Sequence, residues 1–313
     1  MFYRGDAIED AFPREAMRSI SRRDFLKTAA FGGWGLFSRP RIGRLFKGND
    51  AGSFLGQIGV CASLADSGLL KETDCAYVEE GVRRFLIPEE PEEKFQAKLA
   101  ELKAAKLPVL ACNGFLPGQL KAVGAEAKHD EILAYAETAF QRAARARVGT
   151  IVWGSGESRK IPEGFSRAKA EEQFRDLAKR VAVLAGRHGV IVSLEPLNSG
   201  ETNFVNSLKE GAAVVEAVGH PNFKLLADLY HLLRQGETPD AVEMFGKHIH
   251  HCHIAEKDKR TPPGTAGDDF KPFFKRLKTG GYRGGISMEC GWKSMKDELP
   301  AAMTFLRNEI AAS

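Results

Sequence analysis

The chain of 313 residues predicts an α/β protein, a (β/α)8 TIM barrel, on three observations. From residue 57 onward, short apolar runs alternate with longer amphipathic stretches. Eight such pairs fit into about 255 residues, the size and rhythm of a TIM barrel. Most of the apolar runs are nearly continuous, the pattern of strands covered by helices on both faces.

In chain order, the strand candidates are Gln57–Ala62, Ala76–Val82, Pro108–Asn113, Thr150–Gly154, Val190–Pro196, Lys224–Leu229, His248–Ala255 and Gly285–Cys290. Helical periodicity marks Glu92–Ala105, Asp130–Arg147, Ala168–His188, Leu208–Val218, Pro239–Phe245, Asp269–Lys278 and Glu298–Ile310. Leu64–Thr73 completes the first unit with the weakest helical pattern of the set. An open, doubly wound sheet is the competing architecture, and it would carry a Gly-rich phosphate turn after the first strand. Here Gly56 and Gly59 lie before or within that strand, so the signal is absent.

With 43% hydrophobic and 27% charged residues, the composition is that of a globular protein. The formal charge of +4 is unevenly placed. Residues 1–56 hold ten Lys/Arg against six Asp/Glu, which leaves 35 of each sign in residues 57–313. A neutral body lacks the basic face that nucleic-acid binding needs, so no nucleic-acid partner is expected. The five cysteines form no CxxC pair, and four lie in or beside apolar runs, where cysteine packs as a small hydrophobe. A Cys252–Cys290 bridge stays open if the protein is exported.

Residues 1–56 read as an N-terminal extension. Ser21-Arg22-Arg23-Asp24-Phe25-Leu26-Lys27 matches the twin-arginine export pattern, and a modestly apolar stretch, Thr28–Phe37, follows it. That stretch is too short to span a bilayer but suits a signal segment. The expected partner is the twin-arginine export machinery, and the expected location is periplasmic or membrane-associated, cytoplasmic if the segment is unused. Met1 and Met17 are both candidate starts.

Chemistry in such barrels gathers at the C-terminal ends of the strands. Strand five closes on Glu195, six on Asp228, seven on His253 and eight on Glu289. One acid at one strand end is ordinarily a helix cap or a loop ion pair. Four consecutive strands ending in ligand-type residues are different, because neighbouring strands lie about 4.8 Å apart and their ends can converge. Three carboxylates and an imidazole favour one divalent metal ion, Mn2+ first, then Co2+ or Mg2+, with Zn2+ and Fe2+ also compatible. Strand alternation puts His251 on the face of His253, as a buried, hydrogen-bonded barrel residue, and turns His248 and His250 toward the helices.

The stretches Glu195-Pro-Leu-Asn198-Ser-Gly-Glu201, Asp228-Leu-Tyr-His231, His253 through Arg260 to Gly264, and Met288-Glu289 resemble the xylose isomerase-like sugar isomerase/epimerase superfamily, nearest its ketose 3-epimerase branch. The resemblance spans roughly residues 57–310, with its specific motifs in the second half. It implies that Glu195 and Glu289 are acid/base residues as well as ligands, and that Glu201, His231 and Arg260 contact a carbohydrate substrate. It leaves a homo-oligomer open. Ser199-Gly200 stands where many ketose epimerases carry a bulkier, positively charged pair, and the His253-to-Arg260 spacing is one residue longer. These departures bear on the substrate, not on the metal.

The chemistry so implied is an enediolate-type proton transfer on a keto-sugar, with the metal as Lewis acid and two glutamates exchanging protons. Three alternatives share the scaffold. A metal-dependent lyase or dehydratase would act on 3-keto-glycosides or inososes, and a non-catalytic barrel would only bind sugar. A phosphodiesterase of the AP-endonuclease kind would need further histidines in the first half, where the strand ends offer Glu79, Glu80 and Asn113.

Overall fold

The structure, a computed structural model, describes residues 57–313. The export segment at Ser21–Lys27 therefore lies outside the described residues. Eight parallel strands close into a barrel in chain order: β1 (Ile58–Cys61), β2 (Tyr77–Gly81), β3 (Val109–Asn113), β4 (Thr150–Trp153), β5 (Ile191–Leu194), β6 (Phe223–Asp228), β7 (Ile249–Ile254) and β8 (Ile286–Met288). Closure is made by β1 and β8, with Ile58, Gly59 and Val60 opposite Ile286, Ser287 and Met288. All eight strand expectations fall on these elements. No described helix is long and apolar enough to cross a membrane.

The helices are α1 (Ser67–Glu72), α2 (Glu92–Ala104), α3 (His129–Ala146), α4 (Gly156–Arg159), α5 (Arg167–Arg187), α6 (Leu208–Val218), α7 (Leu229–Gln235), α8 (Pro239–Met244), α9 (Lys271–Thr279) and α10 (Met295–Ala311). Their ends follow local chemistry. Ser207 caps α6 by accepting from the Glu210 N–H, and Gly219 ends it in the left-handed conformation at φ +63°. The weak pattern over Leu64–Thr73 resolves into a 3-10 turn, Leu64–Asp66, followed by α1. Periodicity alone does not reveal α4 or α7, each too short to show a repeat. The latter matters, because His231 rides on α7 and not on a strand.

Outside the barrel wall, the apolar core is aromatic around β4. Trp153 packs 5.0 Å from Phe174 and 5.6 Å from Phe115, which stacks on Phe140 at 5.4 Å. Inside, the barrel is polar. The Tyr77 hydroxyl meets Ser287 Oγ at 2.9 Å, and Ser287 Oγ donates to Glu79 Oε2 at 2.7 Å. Glu79 also faces His251 Nε2 at 2.7 Å. Gly59 makes room for this layer, since a Cβ there would fall inside the Tyr77 ring.

The strand-seven histidines divide differently from strict alternation. His248 faces Glu216 of α6 at 2.9 Å, on the helix side, and His251 is buried inside. His250, expected to face the helices, instead meets Thr150 Oγ1 of β4 at 3.1 Å. Because β4 and β7 are not neighbours in the barrel, that contact runs through its interior. The cause is a register shift between Leu225 and Leu226, which pair with Ile249 and His251 and leave His250 unpaired. The Cys252–Cys290 bridge left open by the sequence is not formed, and all five cysteines are free thiols.

Burial lowers the His250 pKa from 6.5 to about 4, helped by the nearby His251 and Lys224 charges. The unfolded chain therefore takes up a proton near pH 6.5 that the folded one refuses. Stability is full above that pH and falls as the pH drops toward 4, by at most about 3 kcal/mol. Urea unfolding at pH 7 and pH 4.5 should show a smaller acid loss for His250→Asn than for wild type. Equal losses would remove His250 from the account.

Candidate metal centre

The C-terminal ends of β5 to β8 bring four side chains together. Ligand atoms of Glu195, Asp228, His253 and Glu289 all lie within 4.8 Å of one another. Glu195 and Glu289 follow directly on β5 and β8, while Asp228 and His253 are the last or next-to-last residues of their strands. Asp228 has a second task, accepting the Tyr230 N–H at 2.8 Å as the cap of α7. Gly154 at the end of β4 is required here, because a Cβ would collide with Glu195 Oε2.

Electrostatics in the cluster follow from crowding. Burial pushes the Glu195 carboxyl upward, and the Glu289 and Asp228 charges add to this against the hydrogen bond from His253. Burial acts upward on Glu289 too, but His253 and Arg260 outweigh it and hold the group below the usual carboxylate range. Desolvation would lower His253, yet Glu79 and Glu289 raise it well above an ordinary histidine. Its Nδ1 stands 2.9 Å from Glu289 Oε2 and 3.2 Å from Glu195 Oε1, and its Nε2 stands 2.9 Å from Glu79 Oε1.

These residues fit a divalent cation. Three carboxylates buried or half-buried together carry a desolvation and repulsion cost that a divalent cation would offset. The imidazole presents Nδ1 to the cluster while Nε2–H is held by Glu79, the carboxylate–histidine arrangement that fixes a ligating ring. Glu79 itself lies well below the usual carboxylate range: burial pushes up, and the His253 and His251 charges and hydrogen bonds more than reverse it.

Of the three expected substrate contacts, two sit at the cluster. His231 Nδ1 receives both the Asn198 backbone N–H at 3.2 Å and the Asn198 side-chain amide at 2.9 Å. Two donors on Nδ1 leave the ring proton on Nε2. That nitrogen is buried without a hydrogen-bond partner, 3.4 Å from Asp228 Oδ2. Arg260 reaches Asp228 Oδ2 at 3.2 Å and Glu289 Oε2 at 2.5 Å, with its guanidinium 4.7 Å over the Tyr230 ring. Its backbone is in the left-handed region at φ +54°, a strained conformation for arginine. The loop is held by buried Glu256, which accepts the Gly264 and Asp268 N–H groups. Glu201 stands apart at the rim, 40% exposed and 3.9 Å from His231.

Sequence reasoning did not assign Glu79 or Arg159 to the site. Arg159 is fully buried on α4, donating to the carbonyls of Trp153, Gly154, Glu195 and Phe204, and so anchors the backbone beneath Glu195. Burial lowers its pKa to about 10. A carboxylate at the end of β2 was the visible signal for Glu79. Nothing in the local pattern marks Arg159, which looks like one more basic residue in a loop.

Removing the proton acceptor behind the ligating ring should weaken metal binding. Glu79→Gln, nearly isosteric, is expected to lower Mn2+ affinity about 10- to 100-fold by calorimetry. For wild type, Mn2+ at a hundred times its Kd should raise the thermal midpoint by about 5–10 °C. A midpoint indifferent to Mn2+ would argue against any metal centre here.

A family model described as xylose isomerase-like TIM barrel matches residues 68–309. The L-ribulose 3-epimerase of Methylomonas sp. (strain DH-1) is 36% identical over 112 residues, 36% of this chain and 39% of that protein. The hydroxypyruvate isomerase of Escherichia coli (strain K12) is 24% identical over 133 residues, 42% of this chain and 52% of that protein. The chain spans about half the length, or less, of the curated relatives it matches. Among solved structures, the E. coli 3-keto-D-glucoside 4-epimerase superposes with a TM-score of 0.69 at 20% identity, covering 80% of this chain and 99% of that one. At that identity the likeness speaks for the fold alone. With more than two thirds of its length matched by the family model, and the barrel closed as described, the chain belongs to the xylose isomerase-like TIM barrel family.

Proposed function

We propose that this protein is a divalent-metal-dependent isomerase or epimerase of a keto-sugar. The observation that carries the reading is the convergence of Glu195, Asp228, His253 and Glu289 within 4.8 Å at one end of the barrel. Relatives named as an L-ribulose 3-epimerase and a hydroxypyruvate isomerase support the same class. These residues would hold the ion, Mn2+ being the metal we expect. When bound, it supplies Lewis-acid stabilisation of the negative charge that develops on the sugar's oxygens.

The chain's own groups do the rest. Glu195 and Glu289 come from β5 and β8, strands well separated around the barrel, so they approach a substrate carbon from different sides. One takes the proton next to the carbonyl and the other returns it, which inverts the centre. The His231 Nε2–H donates to the oxygen where charge appears, and Arg260 adds a fixed positive charge beside it. Both are held before substrate arrives, one by Asn198 and the other by the Glu256 loop. Glu201, at the rim, receives hydroxyls farther from the reacting carbon.

The test is hydrogen exchange. The Mn2+-loaded protein, given ketohexoses or 3-keto-glucosides in 2H2O, should place deuterium on a carbon next to the carbonyl and release an epimer or isomer by NMR. Glu195→Gln and Glu289→Gln should each slow exchange about 10²- to 10⁴-fold. Elimination products would transfer the protein to the lyase class. Sugar binding with no exchange would make it a binding barrel.

We further propose that the Ser21–Lys27 segment sends the protein out of the cytoplasm by the twin-arginine route. Replacing Arg22 and Arg23 with lysine should retain it in the cytoplasmic fraction, and unchanged fractionation would refute the address.

A further inference from the structure

Glu289 carries two duties in the proposed reaction, metal ligand and proton carrier, and its two oxygens are placed in different surroundings. Oε2 faces the cluster, 2.9 Å from His253 Nδ1 and 2.5 Å from Arg260. Oε1 is turned the other way, toward the end of β3, where Asn113 Nδ2 donates to it at 2.8 Å. The orientation of that amide is fixed by chemistry, since an ionised carboxylate only accepts and only the Nδ2 end of asparagine donates. Both groups line a cavity of about 390 Å³ at the barrel mouth, together with Cys61, Gly81, Arg84 and Arg260.

From this geometry we infer that Asn113 is a positioning residue for the reaction, holding Glu289 as a one-oxygen ligand. The inference rests on the function proposed above. A carboxylate free to rotate beside a divalent ion can close on it with both oxygens. Both would then be tied down, and neither would be free to take or give the substrate's proton. The Asn113 amide opposes that rotation. It anchors Oε1, where one lone pair receives the Nδ2–H and a second is left to accept a proton. Asparagine suits this task because it is neutral. Aspartate would repel Glu289, and lysine would compete with the metal for it.

Asn113 closes β3 and pairs in register with Gly81 of β2, so its position is set by the barrel wall and not by a loop. Gly81 leaves the amide unobstructed, since even a Cβ there would stand 4.0 Å from Asn113 Oδ1. A strand-borne donor of this kind gives the precision that a ligand with two duties requires.

The test compares the full chain with Asn113→Leu, which keeps the volume and loses the donor, and Asn113→Ser, which keeps a shorter donor. The first readout needs no turnover: crystal structures of the Mn2+-loaded proteins. Wild type is expected to ligate through one oxygen of Glu289 with the other on Asn113, and Asn113→Leu to show the carboxylate rotated. The second readout is exchange on the ketose or 3-keto-glucoside turned over fastest. For Asn113→Leu, kcat should fall about 10- to 100-fold. KM should stay within about threefold, Mn2+ affinity should be retained, and Asn113→Ser should recover part of the rate. An unchanged Glu289 pose with unchanged kcat overturns the inference, as does an equal loss of Mn2+ binding in both variants, the mark of a purely structural role. If wild type binds Mn2+ but exchanges no proton, the proposed function falls, while the Glu289 pose still decides the role of Asn113.

Discussion

Three carboxylates held within 4.8 Å of one another are the constraint around which this barrel is organised. Glu195 and Asp228 are buried, and like charges at that range repel strongly where water is scarce. The positive neighbours answer that problem. His253 is driven toward its charged form, Arg260 bridges Asp228 and Glu289, and Arg159 sits as a buried cation behind the Glu195 backbone. The arrangement is one that a divalent ion would complete, and the crowded carboxylates account for the positive groups around them.

The same constraint reaches down into the barrel. A ligating imidazole is oriented through its far nitrogen, and a fourth carboxylate, Glu79 on β2, is buried against that nitrogen of His253. That carboxylate in turn needs donors, which His251 and Ser287 supply, and Ser287 is held by Tyr77. The Tyr77 ring fits only because residue 59 is glycine. A chain of satisfied polar groups thus runs from the candidate metal centre into the interior, where an apolar core would otherwise be expected. Each link is buried, and a half-satisfied network would cost more than an apolar one.

How much of this was legible in the sequence depends on the range of the interaction. The eight strands and most helices could be read because burial writes a local pattern, and strand ends could be located within a residue or two. The four candidate ligands stood out because four consecutive runs stopped at an acid or histidine. The inward turn of His250 could not be read, because it depends on a register shift in the pairing of β6 with β7, which neither strand's own pattern records. Nor could Arg159, whose partners are backbone carbonyls from three different segments. Glu79 and Asn113 were visible as strand ends but silent as to role, since each acts only on a residue more than 170 positions away.

That silence has a structural meaning. The second half of the barrel, from β5 on, supplies all four candidate ligands, and the half from β1 through α4 supplies groups that orient them: Glu79 on His253, Asn113 on Glu289 and, from α4, Arg159 beneath Glu195. Ligands advertise themselves by charge at a strand end, whereas orienting groups are recognised only by what they touch. A closed barrel makes the division workable, because joining β1 to β8 puts the first strands beside the last. In the proposed function, metal affinity and proton transfer are thereby governed by different residues. Glu79 acts on the imidazole that would grip the ion, and Asn113 acts on the oxygen that would stay free of it.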